Sequence, residues 1–286
     1  MVIGPIGVWS RGLRYNRDRA AARDAAGELE VLGYTAIWLP DVGGDVLGAV
    51  AELLEATSSI TIATGVLNIW LHEPVEVAAR TAELERCYPG RFLLGLGASH
   101  AAVVPDRYTR PWSSMWSYLD ALDGAPQPVP VRQRLLAALG PRMLELARDR
   151  SGGAHPYLVP PEHTRTARVT LGADQLLAVE QSVLPASDIG YGRERARAFV
   201  ADYMRLPNYV NNLRRLGYAD QDLAPSDRLT QALVAWGDEE AIAERVRAHF
   251  EAGADHVCVQ VIDAGDELPL DQWRRLAPAL TTTVAH

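Results

Sequence analysis

The sequence predicts a single (β/α)8 barrel that carries an additional helical segment near residues 189–225. Three observations lead there. A chain of 286 residues with 48% apolar side chains can bury the core of one barrel, which typically takes about 250 residues. A helical pattern closed by glycine and followed by a β-rich apolar run stands at both ends: Arg17 to Leu32, Gly33 and YTAIWLP, then a helix through Phe250, Gly253 and ADHVCVQVI. Eight such runs can be counted along the chain, most of them followed by helical spacing, which favours a closed parallel barrel over an open doubly wound sheet.

Taken in order, Ile3–Val8 is the first strand. The segment MVIGPIGVW has no basic leader region and meets Pro5 and two glycines at once, so it reads as a strand rather than a signal peptide. Arg17–Leu32 sets Ala21, Ala22, Ala25, Leu29 and Leu32 on one helical face, and Tyr34–Pro40 is the second strand. Ile60–Val66 and Phe92–Gly95 are the third and fourth. Both runs pass from apolar to small or polar residues where a barrel strand delivers side chains to the mouth, so these two neighbouring ends are the expected site. Val103 to Pro130, rich in Pro, Trp and Tyr, reads as an interrupted helix and a loop. Arg134–Leu139, Ala154–Val159, Gln175–Leu184 and Asp255–Ile262 complete the set of strands. Ile189 to Pro225 has helical spacing broken at Pro207 and reads as two helices packed over the barrel's end or onto a partner. No linker or low-complexity tract interrupts residues 1–286, which read as one domain.

Lysine is absent. All 28 basic residues are arginine, against 36 acids, for a formal net charge of −8. Schiff-base aldolase, pyridoxal-phosphate and Walker-type phosphate chemistry are thereby excluded, since each needs an ε-amine. Anions must be held by arginine, backbone N–H groups or helix N-termini. The acidic balance argues against nucleic-acid binding. Arg193, Arg195 and Arg197, like Arg142, Arg148 and Arg150, read as solvated helix faces. No apolar run approaches the ~20 residues of a membrane span, and a soluble cytoplasmic protein is expected. Cys87 and Cys258 read as buried thiols. No spacing of His, Cys and acids suggests a metal; His72-Glu73-Pro74 is not HExxH.

Several residues carry candidate chemistry. Asp41 closes the second strand before a glycine-rich turn, where its carboxylate serves either as a helix N-cap or as a group facing a bound cofactor. His100 is either a general acid or base, or a hydrogen-bonded loop histidine. Gly95-Leu96-Gly97 lacks the third glycine of a dinucleotide fingerprint and reads as a turn at a strand end. Gly140-Pro141 opens a helix whose free N–H groups can meet an anionic or carbonyl oxygen. Pro160-Pro161 opens another, which makes His163 and Thr164 candidates for a phosphate site, although ordinary helix initiation explains the prolines equally well. Trp9, Trp38, Trp70, Trp112, Trp116 and Trp236 are partly core, with Trp9 and Trp70 placed to wall a substrate pocket.

The order TIATGVLNI, HEP, GRFLLGLG resembles the luciferase-like monooxygenase superfamily, and most closely its branch that uses the deazaflavin coenzyme F420. The resemblance implies a barrel of the bacterial luciferase-like type, a homodimer, and hydride transfer between F420 and a small organic substrate. It places a non-prolyl cis peptide at Gly65-Val66, followed by Asn68, and sets Ala98, Ser99 and His100 toward cofactor or substrate. Ala138, Leu139 and Gly140 match the stretch that borders the pyrimidine edge of the ring. Asp41 and His100 are the implied catalytic candidates, although relatives often carry an acid near position 100. Val42 stands where a glucose-6-phosphate dehydrogenase of this family carries histidine, which disfavours that substrate. Two alternatives remain at this level: an FMN-dependent monooxygenase of the same fold, and a flavin- or deazaflavin-binding protein without turnover.

Overall fold

The computed structural model describes residues 3–101 and 104–281. Its strands are β1 (Ile6–Trp9), β2 (Ala36–Leu39), β3 (Thr61–Thr64), β4 (Leu67–Asn68), β5 (Phe92–Gly97), β6 (Arg134–Leu136), β7 (Gly153–Ala154), β8 (Leu176–Pro185), β9 (Val234–Gly237) and β10 (His256–Val261). The ladders are parallel. The order β1-β2-β3-β5-β6-β7-β8 is closed by β10, which pairs with β8 through His256↔Ala178 and with β1 through Ile6↔Val257. The result is an eight-stranded barrel surrounded by helices. All eight expected strand positions belong to the ring. β4 resumes the third strand against β5, and β9, which the sequence reading missed, lies outside the ring against the end of β8.

Alternation along the strands divides two cores. Ile37 and Leu39 of β2 pack outward against the helices, while Ala36 and Trp38 point inward with Ala63, Leu93, Leu135, Ala178 and Cys258. The helices begin where their free N–H groups find relief. Asp18, Asp45, Asp188 and Asp238 accept a backbone N–H as N-caps, and Pro74, Pro111, Pro141, Pro161 and Pro207 occupy first-turn positions where no N–H is needed.

Three expectations change. The sixth strand is only Gly153–Ala154 rather than Ala154–Val159. A Cβ at Gly153 would lie 1.9 Å from the Leu176 carbonyl oxygen, so the chains touch closely there. Beyond it Leu158 takes φ 52° and gives its N–H to the Glu180 carboxylate rather than to a strand. Between Val103 and Pro130 the helix Pro111–Asp123 is unbroken; Val103 itself lies outside the described residues. Cys87 is exposed at the end of its helix, whereas Cys258 is buried in the barrel.

The added segment breaks at Pro207 as its spacing predicts, into Ile189–Tyr203 and Pro207–Arg215, followed by the short helices Asp220–Leu223 and Asp227–Leu233. These helices gather their own apolar cluster, including Ala196, Val200, Tyr209 and Leu213, and lie over the barrel mouth. Among the described residues no helix is long and apolar enough to cross a membrane.

Candidate active site

The mouth of the barrel opens into a cavity of about 660 Å³. One wall comes from three neighbouring strand ends, where mostly small residues keep the backbone close to the cavity: Gly65 and Val66, Gly97 to Ser99, and Ala137 to Gly140. The Gly65-Val66 peptide is cis. The Gly65 carbonyl accepts the indole N–H of Trp9 at 2.7 Å. A Cβ at Gly97 would stand 2.3 Å from Val66 Cγ2, so glycine at this position is what lets the two strand ends meet. Ser99 holds φ 54°, an uncommon conformation for a side chain other than glycine.

Asn68 is 1% exposed and lines the same cavity. Its Oδ1 accepts the Trp70 N–H at 3.1 Å, while its Nδ2 is buried without a partner. An unpaired buried amide donor costs about 1–3 kcal/mol, which a ligand oxygen would recover.

Asp41 is clamped. Oδ2 accepts the Asn68 N–H at 3.0 Å and the His72 Nε2–H at 2.8 Å, and Oδ1 accepts the Gly43 N–H at 3.0 Å. Its side chain is 0% exposed. It is not the N-cap of the next helix, a place taken by Asp45 through the Gly48 N–H. The carboxylate therefore organises the strand end, fixing Asn68 and His72.

His100 also lines the cavity, its ring 5.5 Å from that of Tyr209. Burial holds its pKa below the ordinary value, against a hydrogen bond with the Asn208 side chain that favours the charged form. Its Nδ1 has no partner, so at neutral pH the ring presents an unprotonated nitrogen or an unsatisfied N–H there.

His163 and Thr164 are placed elsewhere. Thr164 is 0% exposed with its hydroxyl 2.8 Å from His249 Nδ1, and His163 is 1% exposed with Nε2 on the Leu139 carbonyl at 2.9 Å. Both lie behind the barrel wall, because their helix turns these side chains inward against its neighbours. Trp70 does not wall the main cavity either; its indole N–H donates to the Ala98 carbonyl at 2.6 Å, and it lines a separate groove with His72 and Glu73. Trp9 does line it.

Sequence reasoning missed the opposite wall. Tyr157, Phe199, Tyr203 and Tyr209 line the cavity, the last three from the added helices. Tyr157 OH lies 2.7 Å from Tyr203 OH and donates to Gln260 Oε1 at 2.7 Å. The available signal was a set of aromatic residues recurring across the Pro207 break. His155, stacked on Trp38 at 4.1 Å, forms part of the floor. Nearby Glu180 is fully buried, its carboxyl pushed up to about 7 by burial, with the Leu158 N–H and Ser182 hydroxyl as its donors.

A model of the luciferase-like monooxygenase family matches residues 2–256. An uncharacterised protein of Mycobacterium tuberculosis is 26% identical over 174 residues, covering 49% of this chain and 51% of that protein. The chain thus spans about half the length of the curated relatives it matches. Among solved structures, an F420-dependent secondary alcohol dehydrogenase in complex with an F420–acetone adduct is 16% identical, with a TM-score of 0.72, over 98% of this chain and 99% of that one. The coenzyme F420-dependent tetrahydromethanopterin reductase of Methanopyrus kandleri is 16% identical with a TM-score of 0.73, over 96% and 97%. The oxygenating constituent of 3,6-diketocamphane monooxygenase from Pseudomonas putida, in complex with FMN, is 15% identical with a TM-score of 0.68, over 99% and 98%. At these identities the likeness is one of fold.

Proposed function

The chain belongs to the luciferase-like monooxygenase family, and on that premise we propose that it is a coenzyme F420-dependent oxidoreductase acting on a small organic molecule. The observation that carries the reading is the backbone wall at positions 65–66, 97–99 and 138–140, with the unpaired Asn68 Nδ2 beside it. Such a surface fits the face and edge of a flat heterocycle. Asn68 Nδ2 would donate to a ring oxygen, and Ala138, Leu139 and Gly140 would border the ring's polar edge. The helix Pro141–Arg150 opens at Gly140, and a Cβ there would lie 3.1 Å from Arg215 Nη2. This guanidinium and the helix N-terminus would hold the cofactor phosphate.

When bound, F420 supplies a two-electron hydride carrier. The protein's own part is positioning and proton handling. Asp41 fixes the Asn68 segment, and His100, kept neutral by burial, takes the substrate hydroxyl proton at Nδ1 in the oxidative direction. FMN in the same cradle is the second reading; the FMN complex of the Pseudomonas putida relative shares this fold. The proposal includes a homodimer in the cytoplasm. Sedimentation equilibrium at micromolar concentration tests the assembly, and a single species at the 31.2 kDa protomer mass would overturn that part.

The chemistry is tested by mixing the protein with oxidised F420 and a panel of alcohols while following the deazaflavin absorbance. Substrate-dependent bleaching supports hydride transfer. A protein that purifies yellow with flavin absorbance and leaves F420 unchanged contradicts it.

A further inference from the structure

We propose that the half of the cavity facing the added helices is a chamber for an uncharged, mainly apolar part of the substrate that carries an anchoring hydroxyl or carbonyl oxygen, and that Tyr203, Tyr157 and Gln260 receive that oxygen. The assignment rests on the cofactor reading only in giving the backbone wall to the cofactor.

The chamber is aromatic. Trp9 and Tyr157 rings lie 5.5 Å apart, Tyr157 and Tyr203 5.6 Å, Tyr203 and Phe199 5.0 Å, and Tyr203 and Tyr209 5.1 Å. The charged side chains among its described lining, Arg11, Asp41 and Asp202, are each paired or solvated. Arg11 pairs with Asp266 at 2.9 Å, the Asp41 side chain is 0% exposed under three hydrogen bonds, and the Asp202 side chain is 75% exposed to solvent. A carboxylate or phosphate entering this space would lose hydration with only Arg11, already paired with Asp266, as a counter-charge, at a penalty of several kcal/mol per ion. An uncharged ring system would lose nothing comparable and would gain aromatic contact.

The polar chain supplies orientation. The Gln260 carbonyl oxygen can only accept, so Tyr157 donates to it and Tyr203 donates to Tyr157. This order leaves lone pairs on the Tyr203 oxygen, which suit an alcohol O–H. Turning the Gln260 amide over reverses the chain and leaves the Tyr203 O–H as a donor, which suits a carbonyl. The same three side chains therefore suit either a hydroxyl or a carbonyl, as an anchor distinct from the hydroxyl whose proton goes to His100. Burial pushes the Tyr203 hydroxyl up to about 12, so the anchor stays uncharged through the physiological range.

The test compares three probes of one shape, naphthalene, 2-naphthol and 2-naphthoate, by quenching of tryptophan emission in the full-length protein with and without F420. The expected result is 2-naphthol binding at least tenfold more tightly than either of the others. Tyr203→Phe should bring 2-naphthol to the level of naphthalene while leaving naphthalene binding unchanged. Gln260→Leu serves as the second variant: it releases the fixed order of the Tyr157–Tyr203 pair and should weaken 2-naphthol binding without changing that of naphthalene. Equal or tighter binding of 2-naphthoate overturns the proposal, as does full 2-naphthol affinity in both variants or no binding of any probe. A parallel F420 titration separates the two readings. Probe selectivity without F420 binding leaves the chamber and removes the cofactor assignment, whereas F420 binding without selectivity does the reverse.

Discussion

His72 Nε2 lies 2.8 Å from Asp41 Oδ2, and the same oxygen accepts the Asn68 N–H at 3.0 Å. One buried carboxylate thus ties the end of the second strand to the segment that continues the third. The pair explains how Asn68 is held at the cavity wall with its amide unspent. It also separates positioning from catalysis at Asp41, because Asp41→Asn keeps the size but cannot accept at both oxygens. We expect this variant to lose about 1–3 kcal/mol of stability in urea unfolding and at least tenfold in cofactor affinity. A variant with normal stability and cofactor affinity but greatly reduced kcat would instead make Asp41 a catalytic group.

Asn68→Ala removes the donor without a protein partner. Cofactor affinity should fall roughly 10- to 100-fold, in line with about 1–3 kcal/mol for a buried hydrogen bond. The cofactor-free protein should change less, because Nδ2 makes no bond there to lose. Calorimetric titration of both forms checks this, and an unchanged dissociation constant would remove Asn68 from the cradle.

Gly97→Ala places a Cβ 2.3 Å from Val66 Cγ2 and 3.4 Å from Ala137 Cβ. Overpacking of this kind typically costs about 1–3 kcal/mol. Val66→Ala in the same chain should recover part of that loss, since it removes the atom in conflict. Chemical denaturation of the two single variants and the double variant measures the coupling, and strictly additive effects would mean the clash is relieved elsewhere.

His100 should act as a base whose pKa lies below the ordinary 6.5. In alcohol oxidation kcat/KM should therefore hold level through neutral pH and fall only as the ring protonates at lower pH. His100→Gln should reduce kcat by about 10²- to 10⁴-fold and abolish that acidic limb, with cofactor affinity preserved. A variant that keeps the wild-type pH profile would leave His100 as a loop histidine.

Much of this was legible because barrel strands buried on both faces read as short apolar runs, and the eight runs counted that way fall on the eight strands of the ring. The convergence of Gly65, Val66, Asn68, Ala98, Ser99, His100 and Ala138 to Gly140 on one cavity follows from where those runs end. Side-chain direction was not legible. His163 and Thr164 stand at the start of a helix, but only packing decides that they turn into its buried face. Asp41 and Asp45 are four residues apart in the same turn, and backbone geometry alone assigns the cap to the second. The Tyr157–Tyr203 contact joins residues 46 apart in sequence across the added helices, a relation that periodicity within either segment does not carry.

Acid should destabilise the fold through buried histidines. Burial lowers His155, His163 and His256 to about 4 and His249 to about 3. The unfolded chain takes up these protons below about 6.5, so stability falls as pH drops from there toward the folded values. Glu180 works oppositely: raised to about 7, its contribution is present below its ordinary 4.5 and is lost as pH rises through 7. The histidines outnumber it, so urea midpoints should be lower at pH 5 than at pH 7. His249→Gln should reduce that difference by about one proton's worth, ~1.4 kcal/mol per pH unit within the window. An unchanged slope would place the acid sensitivity elsewhere.

The cofactor held against the wall of strand ends decides the chemistry of the barrel. The most direct test of its identity is titration of the purified protein with F420 and, separately, with FMN, following cofactor fluorescence and tryptophan emission. Saturable binding of F420 with no comparable binding of FMN is the expected result. Saturable binding of FMN with none of F420 would contradict the F420 reading and assign the barrel to oxygen chemistry.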